Sequence, residues 1–301
     1  ILVNLRIKQG FRQGHMLVII GAVVVTLSIL GGYVALGGKL GVLWQPFEVV
    51  IIGGSGLGAF ILANNSTVLK RAMSSYIGIL KGPKYKKADY VELLCMLYQT
   101  CRLAKTKGML ALEAHVDKPE DSALFEPFPI FLSDHHAVEF LCDYLRLMTL
   151  GTDNAMEVEA LMEMELDVHH GEAHRVFHAA NTMAEAFPGL GIVAAVLGVI
   201  KTMGSIAEPP EVLGALIGAA LVGTFLGILL CYGFFGPMAA AIASIDEDDH
   251  QYFIVMKVAL LAHLQGYAPS VSVEFARKTL MSNVRPTFAE LEEETGNLPQ
   301  F

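Results

Sequence analysis

The sequence has few charged residues and no basic excess. Asp, Glu, Lys and Arg make up 17% of its 301 residues, whereas soluble domains carry about 25%. The formal net charge is -9, which argues against the basic face that a nucleic-acid-binding protein needs. With 53% hydrophobic residues, the composition favours a membrane protein in which apolar blocks alternate with soluble parts.

Cysteine is also scarce, and its spacing excludes two classes of small scaffold. The four cysteines are Cys95, Cys101, Cys142 and Cys231. They form no CxxC pair, so we predict free thiols in a reducing compartment rather than a disulfide framework or a zinc site. His170, His174 and His178 share one helix face, which can hold a metal. Surface histidines are the simpler interpretation, and we predict no metal and no cofactor.

Long hydrophobic runs are what the sequence has in abundance. A helix needs about 20 apolar residues to cross the hydrocarbon core of a bilayer. The four runs of that length cover 16–38, 49–69, 188–207 and 212–237, and only Lys201 interrupts one of them. We therefore predict an all-α, polytopic membrane protein with four transmembrane helices and a helical cytoplasmic domain.

The distribution of Lys and Arg predicts the orientation of these helices. Residues 1–15 hold three, residues 65–187 hold twelve and the tail after 238 holds four, whereas the loop between the first two spans has only Lys39. Positive charge marks the cytoplasmic side, so both termini and the middle segment are predicted to be cytoplasmic. The predicted segments are 1–15, a leader or cytoplasmic N-terminus; 16–64, spans one and two; 65–187, a cytoplasmic helical domain; 188–237, spans three and four; and 238–301, a cytoplasmic tail.

Apolar residues in the predicted cytoplasmic parts recur at helical spacing. Leu93, Leu97 and Cys101 mark one helix that Gly108 ends. Val138, Leu141, Leu145 and Met148 mark a second, and 156–186 is predicted to form a long helix leading to span three. These stripes are typical of core packing.

Ionisable residues are absent from the middle of every predicted span. Glu48 and Lys201 lie near predicted outer ends, where we expect their polar groups to reach the interface. Buried acids usually mark ion paths, so an ion-conducting role would require a carboxylate from a partner. Thr224 can offer its hydroxyl to a water, an ion or that carboxylate, or it can bond back to its own helix.

Small residues and prolines give the spans their remaining features. Close helix packing, within one chain or with another, is predicted at three small-xxx-small pairs. These pairs are Gly54 with Gly58, Gly214 with Gly218, and Gly223 with Gly227. Pro188 and Pro237 each permit a bend, so each is a candidate hinge or a helix boundary.

Several long segments resemble the MotA family of flagellar stator subunits. They include PGLGIVAAVLGV at 188–199, VGTFLGILL at 222–230 with Pro237 beyond it, and GYAP at 266–269. The resemblance runs from Met16 to about 294 with consistent spacing. It implies an inner-membrane protein, not an enzyme, that forms a pentameric ring around a MotB dimer. The MotB transmembrane Asp would carry the ion, and the flow would be converted into torque on the rotor protein FliG.

The resemblance also implies roles for individual residues. Pro188 and Pro237 match the prolines that couple ion passage to motion in the family. Lys105 and Glu113 match the charged pair that contacts FliG. The family usually has Arg at the first position, and Lys lacks the bidentate fork of Arg, so the neighbouring Arg102 or Lys107 can share the role.

Ala195 bears on the choice of ion. Sodium-driven relatives carry a Thr hydroxyl at the matching position, and a methyl group removes an oxygen ligand that a hard cation favours. The resemblance therefore predicts that protons are transported. The alternative is a TolQ/ExbB-like energiser of another envelope process, a class that usually has three spans.

Overall fold

The computed structural model describes the backbone of residues 2–299 and the side chains of residues 16–299. Within that range all regular structure is helical, which confirms the all-α prediction. The first seven helices are α1 (Leu2–Ala35), α2 (Leu40–Leu43), α3 (Pro46–Ala63), α4 (Ser66–Gly78), α5 (Lys87–Lys107), α6 (Glu113–Asp117) and α7 (Pro129–Leu132). The remaining helices are α8 (His135–Thr149), α9 (Ala155–Met203), α10 (Pro210–Ile228), α11 (Gly236–Leu264), α12 (Pro269–Thr279) and α13 (Phe288–Gly296).

Four helical stretches in the described part are long and apolar enough to cross a membrane. They are Met16–Ala35, Leu40–Ala63, Ala155–Met203 and Pro210–Leu264. Each overlaps one of the predicted hydrophobic runs, so the prediction of four spans is confirmed. Residues 1–15 are predicted to be a leader or cytoplasmic N-terminus, and their side chains lie outside the described residues.

Helix α9 is far longer than one span requires. Its 49 residues extend about 74 Å at 1.5 Å per residue, more than twice the roughly 30 Å hydrocarbon core. The long helix predicted over 156–186 therefore continues without a break into span three. Pro188 lies inside this helix, so its interpretation as a helix boundary is wrong.

A π-helical segment, which the sequence pattern does not predict, joins α10 to α11. It covers Leu229–Phe235, and the Gly236 N–H donates to the Cys231 carbonyl. A methyl group at Gly236 would lie 2.8 Å from that same oxygen. Pro237 follows at once and has no N–H to donate to the preceding turn. Short π segments of this kind occur frequently at functional sites.

The chain divides into two compact units, and helices α9 and α11 each contribute to both. The first unit contains 2–82 and Glu172–Ile245. Its core includes Phe60 from α3, Ala72 from α4, Val176 from α9 and Ile242 from α11. These unit boundaries differ from the predicted segment boundaries because α4 and the ends of the long helices pack with the apolar helices.

The second unit contains Pro83–Gly171 and 246–299. Its core surrounds Tyr252, which is fully buried and stacks on Tyr85 with ring centroids 3.8 Å apart. The predicted stripes face this core, with Leu93 and Leu97 from α5 and Leu141 from α8 all fully buried. Helix α5 ends at Gly108, whose φ of +85° suits glycine best.

Asp134 joins the segment before α5 to the start of α8 in the second unit. Lys84 Nζ lies 2.7 Å from its carboxylate, and the Tyr85 hydroxyl donates to the same group. Burial alone would raise the pKa of Asp134, but hydrogen bonds from Lys84 and Tyr85 outweigh it and hold the pKa below its ordinary value. The carboxylate is therefore ionised at neutral pH and stabilises this unit.

Candidate functional site

Spans three and four meet through glycines. A methyl group at Gly227 would lie 2.9 Å from Gly191 Cα and would also collide with the Phe187 carbonyl oxygen. About two turns away along the same contact, a methyl group at Gly198 would lie 2.7 Å from Ala220 Cβ. The two backbones therefore approach too closely for larger side chains, as small-residue contacts between membrane helices allow.

Gly223 lies where three segments come together. A methyl group there would be 2.7 Å from Glu48 Oε2, 3.1 Å from Ala194 Cβ and 3.1 Å from the Ala195 backbone nitrogen. Glu48 belongs to α3, the two alanines belong to α9, and Gly223 belongs to α10. The structure thus brings the predicted selectivity position, Ala195, next to a carboxylate.

The expectation that Glu48 reaches the interface is wrong for one of its two carboxylate oxygens. Oε2 is buried and has no hydrogen-bond partner among the described residues. Glu48 is the third residue of α3, and a residue at the start of a helix is expected near the membrane surface. Here, however, the preceding helix α2 packs along α10, and Val42 Cγ1 lies 3.8 Å from the Cβ position of Gly218. The start of α3 is therefore level with the interior of span four. The position of Glu48 at the start of α3 does not reveal from the sequence that this acid belongs to the site.

Thr224 follows Gly223 and is half-buried, as is Ala195. In the described part of the chain the Thr224 hydroxyl makes no hydrogen bond. By contrast, the Thr202 hydroxyl bonds back to the Gly198 carbonyl at 2.9 Å. Of the two interpretations of Thr224, the back-bond to its own helix is therefore not the one seen.

The two candidate hinge prolines lie beside one aromatic contact. The ring of Phe187, next to Pro188, packs on the ring of Phe235 with centroids 4.8 Å apart. Phe235 ends the π segment two residues before Pro237. The Phe187 ring also fills the space beside Gly56 of α3, where a methyl group would lie 2.8 Å from Cε1. Packing thus connects the two prolines.

The other predicted packing glycines are less crowded. Methyl groups at Gly54, Gly58 and Gly214 would meet no described atom within 4 Å beyond their own helix backbone, and one at Gly218 would meet only Val42. The role of these glycines in helix packing stays a prediction. Because their faces are open within this chain, packing against a second chain is the version that the structure favours.

The predicted rotor-contacting residues lie on the second unit around one tight turn. Lys105, in the last turn of α5, is exposed and its Nζ donates to the Gly266 carbonyl at 3.1 Å. Glu113 begins α6 and is exposed. Between them Leu110 is 72% exposed, an apolar group that the sequence analysis did not single out. Arg102 is half-buried one turn before Lys105.

Buried contacts hold α6 beneath this surface. Val116 is 1% exposed, and His115 Nδ1 lies 2.8 Å from the Ser122 hydroxyl. Burial and the positive charge of Lys107 lower the pKa of His115, so the imidazole is neutral at pH 7. Electrostatic contacts on this face therefore depend on Lys105, Glu113 and their charged neighbours.

No group of three or more His, Cys, Asp or Glu side chains within the described residues has a geometry suited to a metal ion. His174 and His178 stack with centroids 6.5 Å apart, and His170 packs near His250. The four cysteines are buried and make no disulfide.

Comparisons with known proteins agree with this arrangement. The family model "Motility protein A N-terminal" matches residues 19–108, and "MotA/TolQ/ExbB proton channel family" matches 134–252. Motility protein A of Salmonella typhimurium is 43% identical over 278 residues, which cover 92% of this chain and 94% of that protein. The chain belongs to the motility protein A family. Chemotaxis protein LafT of Vibrio parahaemolyticus is 34% identical and covers 91% of this chain and 96% of its own length.

Solved structures of motility protein A relatives share the fold. The MotAB structure from C. jejuni aligns with a TM-score of 0.73 at 20% identity, covering 88% of this chain and 96% of that one. The flagellar MotAB stator complex from Bacillus subtilis gives 0.70 at 24% identity, covering 91% and 98%. As a member of the motility protein A family, the chain is a multi-pass inner-membrane protein of a proton channel family and not an enzyme.

Proposed function

We propose that this chain is the stator subunit of a bacterial flagellar motor. Five copies would surround a MotB dimer, conduct protons across the inner membrane and convert the flow into torque on FliG. Both termini and the second unit would face the cytoplasm, in keeping with the Lys and Arg distribution. The family membership supports the motor role, and the solved structures of relatives are of MotAB, in which MotB is the partner.

The observation that carries the proposal is the glycine-built contact between spans three and four. At this contact Ala195 borders Gly223, and Thr224, whose hydroxyl makes no hydrogen bond within the described residues, follows Gly223 on α10. The described residues in the middle of spans three and four include no Asp or Glu. Such a wall can support an ion path but lacks the group that would carry charge through its length. A transmembrane Asp of MotB would supply that group.

The proton is the ion that these residues favour. Ala194 and Ala195, which border Gly223, have no side-chain oxygen. A hard cation binds through several oxygen ligands. No cofactor would be required. Each elementary charge that moves through 100 mV releases about 2.3 kcal/mol, and this energy becomes work only if two arrangements of the complex exist for protonation to bias.

Torque would pass to the rotor through the exposed turn that carries Lys105, Leu110 and Glu113. The two residues carry opposite charges and flank the exposed Leu110 in the sequence, a combination that suits a rotor helix with complementary charges. A TolQ/ExbB-like energiser of another envelope process is the alternative. The match of residues 19–108 to the motility-specific N-terminal model supports the stator instead.

The experiment that tests the proposal is complementation. The chain and its MotB partner are expressed in a strain that lacks its own stator, and rotation of tethered cells is recorded. We expect rotation that requires both proteins, follows the proton gradient and ignores sodium. Motor speed that follows external sodium at constant pH would overturn the ion assignment, and no rotation with the partner present would overturn the stator role.

A further inference from the structure

The Glu48 carboxylate has a setting that the stator role, as proposed above, does not explain. Oε2 is buried and has no hydrogen-bond partner among the described residues. An unpaired ionised carboxylate in such a place costs free energy, which a proton or a bound cation removes. Acids kept inside membrane proteins despite this cost usually belong to an ion or proton pathway.

The depth of this carboxylate follows from its neighbour on span four. Gly223 lies thirteen residues after Pro210, where α10 begins, which is about 20 Å along the helix. Because Oε2 lies against Gly223, it is well inside the length of span four. Across the same gap it is close to Ala194 and Ala195, the other residues that border Gly223.

Helices α9 and α10 lie close to the carboxylate. A methyl group at Gly223 would lie 2.7 Å from Oε2, so an alanine there would displace the Glu48 side chain. The other atoms that border this position are Ala194 Cβ and the Ala195 backbone nitrogen. Neither is an oxygen ligand that a metal cation would favour. The charged residues on the adjoining segments, Lys39, Lys201, Glu208 and Glu211, are all exposed.

We infer that Glu48 is a proton-relay residue that this chain itself contributes to the ion path, on the outer side of the partner's carboxylate. A proton from water on the outer side bonds to Oε2, and the neutral acid then releases it to a water or to the ionised partner carboxylate. Glu48 is left ionised, so the charge balances at each transfer. The inference rests on the proposed stator function and adds to it a titrating group that the ring supplies.

The test compares Glu48→Gln, which keeps the shape but cannot exchange a proton in this way, with Glu48→Asp, which keeps the acid. Glu211→Gln is the matched control, because Glu211 is an exposed acid in the first turn of α10. Each variant is expressed with MotB. Co-purification measures assembly, and proton flux into vesicles that contain the complex is measured across a range of external pH.

We expect E48Q to assemble and to conduct about tenfold less or lower still, since a positioned proton-transfer group contributes at least that much. E48D should recover part of the flux with a displaced dependence on external pH, and E211Q should match the wild type.

Wild-type flux and pH dependence in assembled E48Q would overturn the relay. If E48Q does not assemble, E48D decides: a displaced pH dependence supports the relay, and an unchanged one overturns it. A wild-type complex that does not conduct would overturn the proposed function itself.

Discussion

The rings of Phe187 and Phe235 pack 4.8 Å apart at an angle of 46°, and each lies within two residues of a proline in a membrane helix. Phe187 precedes Pro188 inside α9, and Phe235 closes the π segment before Pro237. A shift at either proline therefore changes the packing at the other. This contact is where we expect movement of the ion-path wall to reach the cytoplasmic ends of both helices.

Replacement of either proline by Ala should slow or abolish rotation while the complex still assembles. Proline frees the carbonyl one turn before it, and alanine would restore that bond and straighten the helix beside the aromatic contact. Co-purification with MotB and tethered-cell rotation are measured for P188A and P237A, with P209A in the exposed outer loop as the control. Normal rotation in both P188A and P237A would leave the prolines without a coupling role, and loss of assembly would make them structural.

Reversal of the charge at Lys105 or Glu113 should impair swimming, and a matching reversal on FliG should restore part of it. Exposed ion pairs contribute roughly 0.2–1 kcal/mol each, so single neutralisations should have mild effects. Lys118→Glu, on the same unit and also exposed, is the control for a general change in charge. Normal motility with both K105E and E113K, and FliG unchanged, would contradict a rotor contact here.

Gly227→Ala and Gly54→Ala should have separable effects. The first places a methyl group against the Gly191 backbone and should lower the stability of the chain by about 1–3 kcal/mol, as overpacking does. The second meets open space within the chain and should leave its stability intact while weakening the ring. Thermal unfolding in detergent measures the first effect and the molar mass of the purified assembly the second. Equal unfolding temperatures for G227A and the wild type would contradict the close contact.

Asp134→Asn should destabilise the protein at neutral pH by about 1–3 kcal/mol, because Lys84 and Tyr85 lose their charged acceptor. The folded-state pKa of Asp134 is lowered, so its contribution is present above the ordinary value near 4 and is lost as pH falls through the folded-state pKa. The difference between D134N and the wild type in unfolding of the full chain should therefore shrink as pH drops below about 4. A difference that grows at low pH would reverse the sign we assign.

The sequence predicts the spans and the helix ends that local chemistry determines. Four apolar runs produce four candidate membrane helices, and Gly108 ends α5 because its positive φ suits glycine. The depth of Glu48 was not predictable in this way, since a position at the start of its own helix does not reveal which level of span four lies beside it. The π segment depends on Gly236, Pro237 and the packing of Phe235 together, and periodicity alone cannot distinguish it from an ordinary helical turn. The sequence does not show that α9 continues through Pro188, because packing against the neighbouring helices decides whether a proline ends a helix or lies within it.

In the proposed complex this chain builds the wall and relay of a proton path whose main titrating acid belongs to MotB. Proton flux into liposomes measures it most directly, with the chain alone, the chain with MotB, and the chain with a MotB whose transmembrane Asp is replaced by Asn. We predict flux only with unaltered MotB, because one carboxylate per chain at Glu48 does not span the bilayer. Robust proton flux by the chain alone, or with the Asn-substituted MotB, would show that the main titrating acid does not belong to MotB.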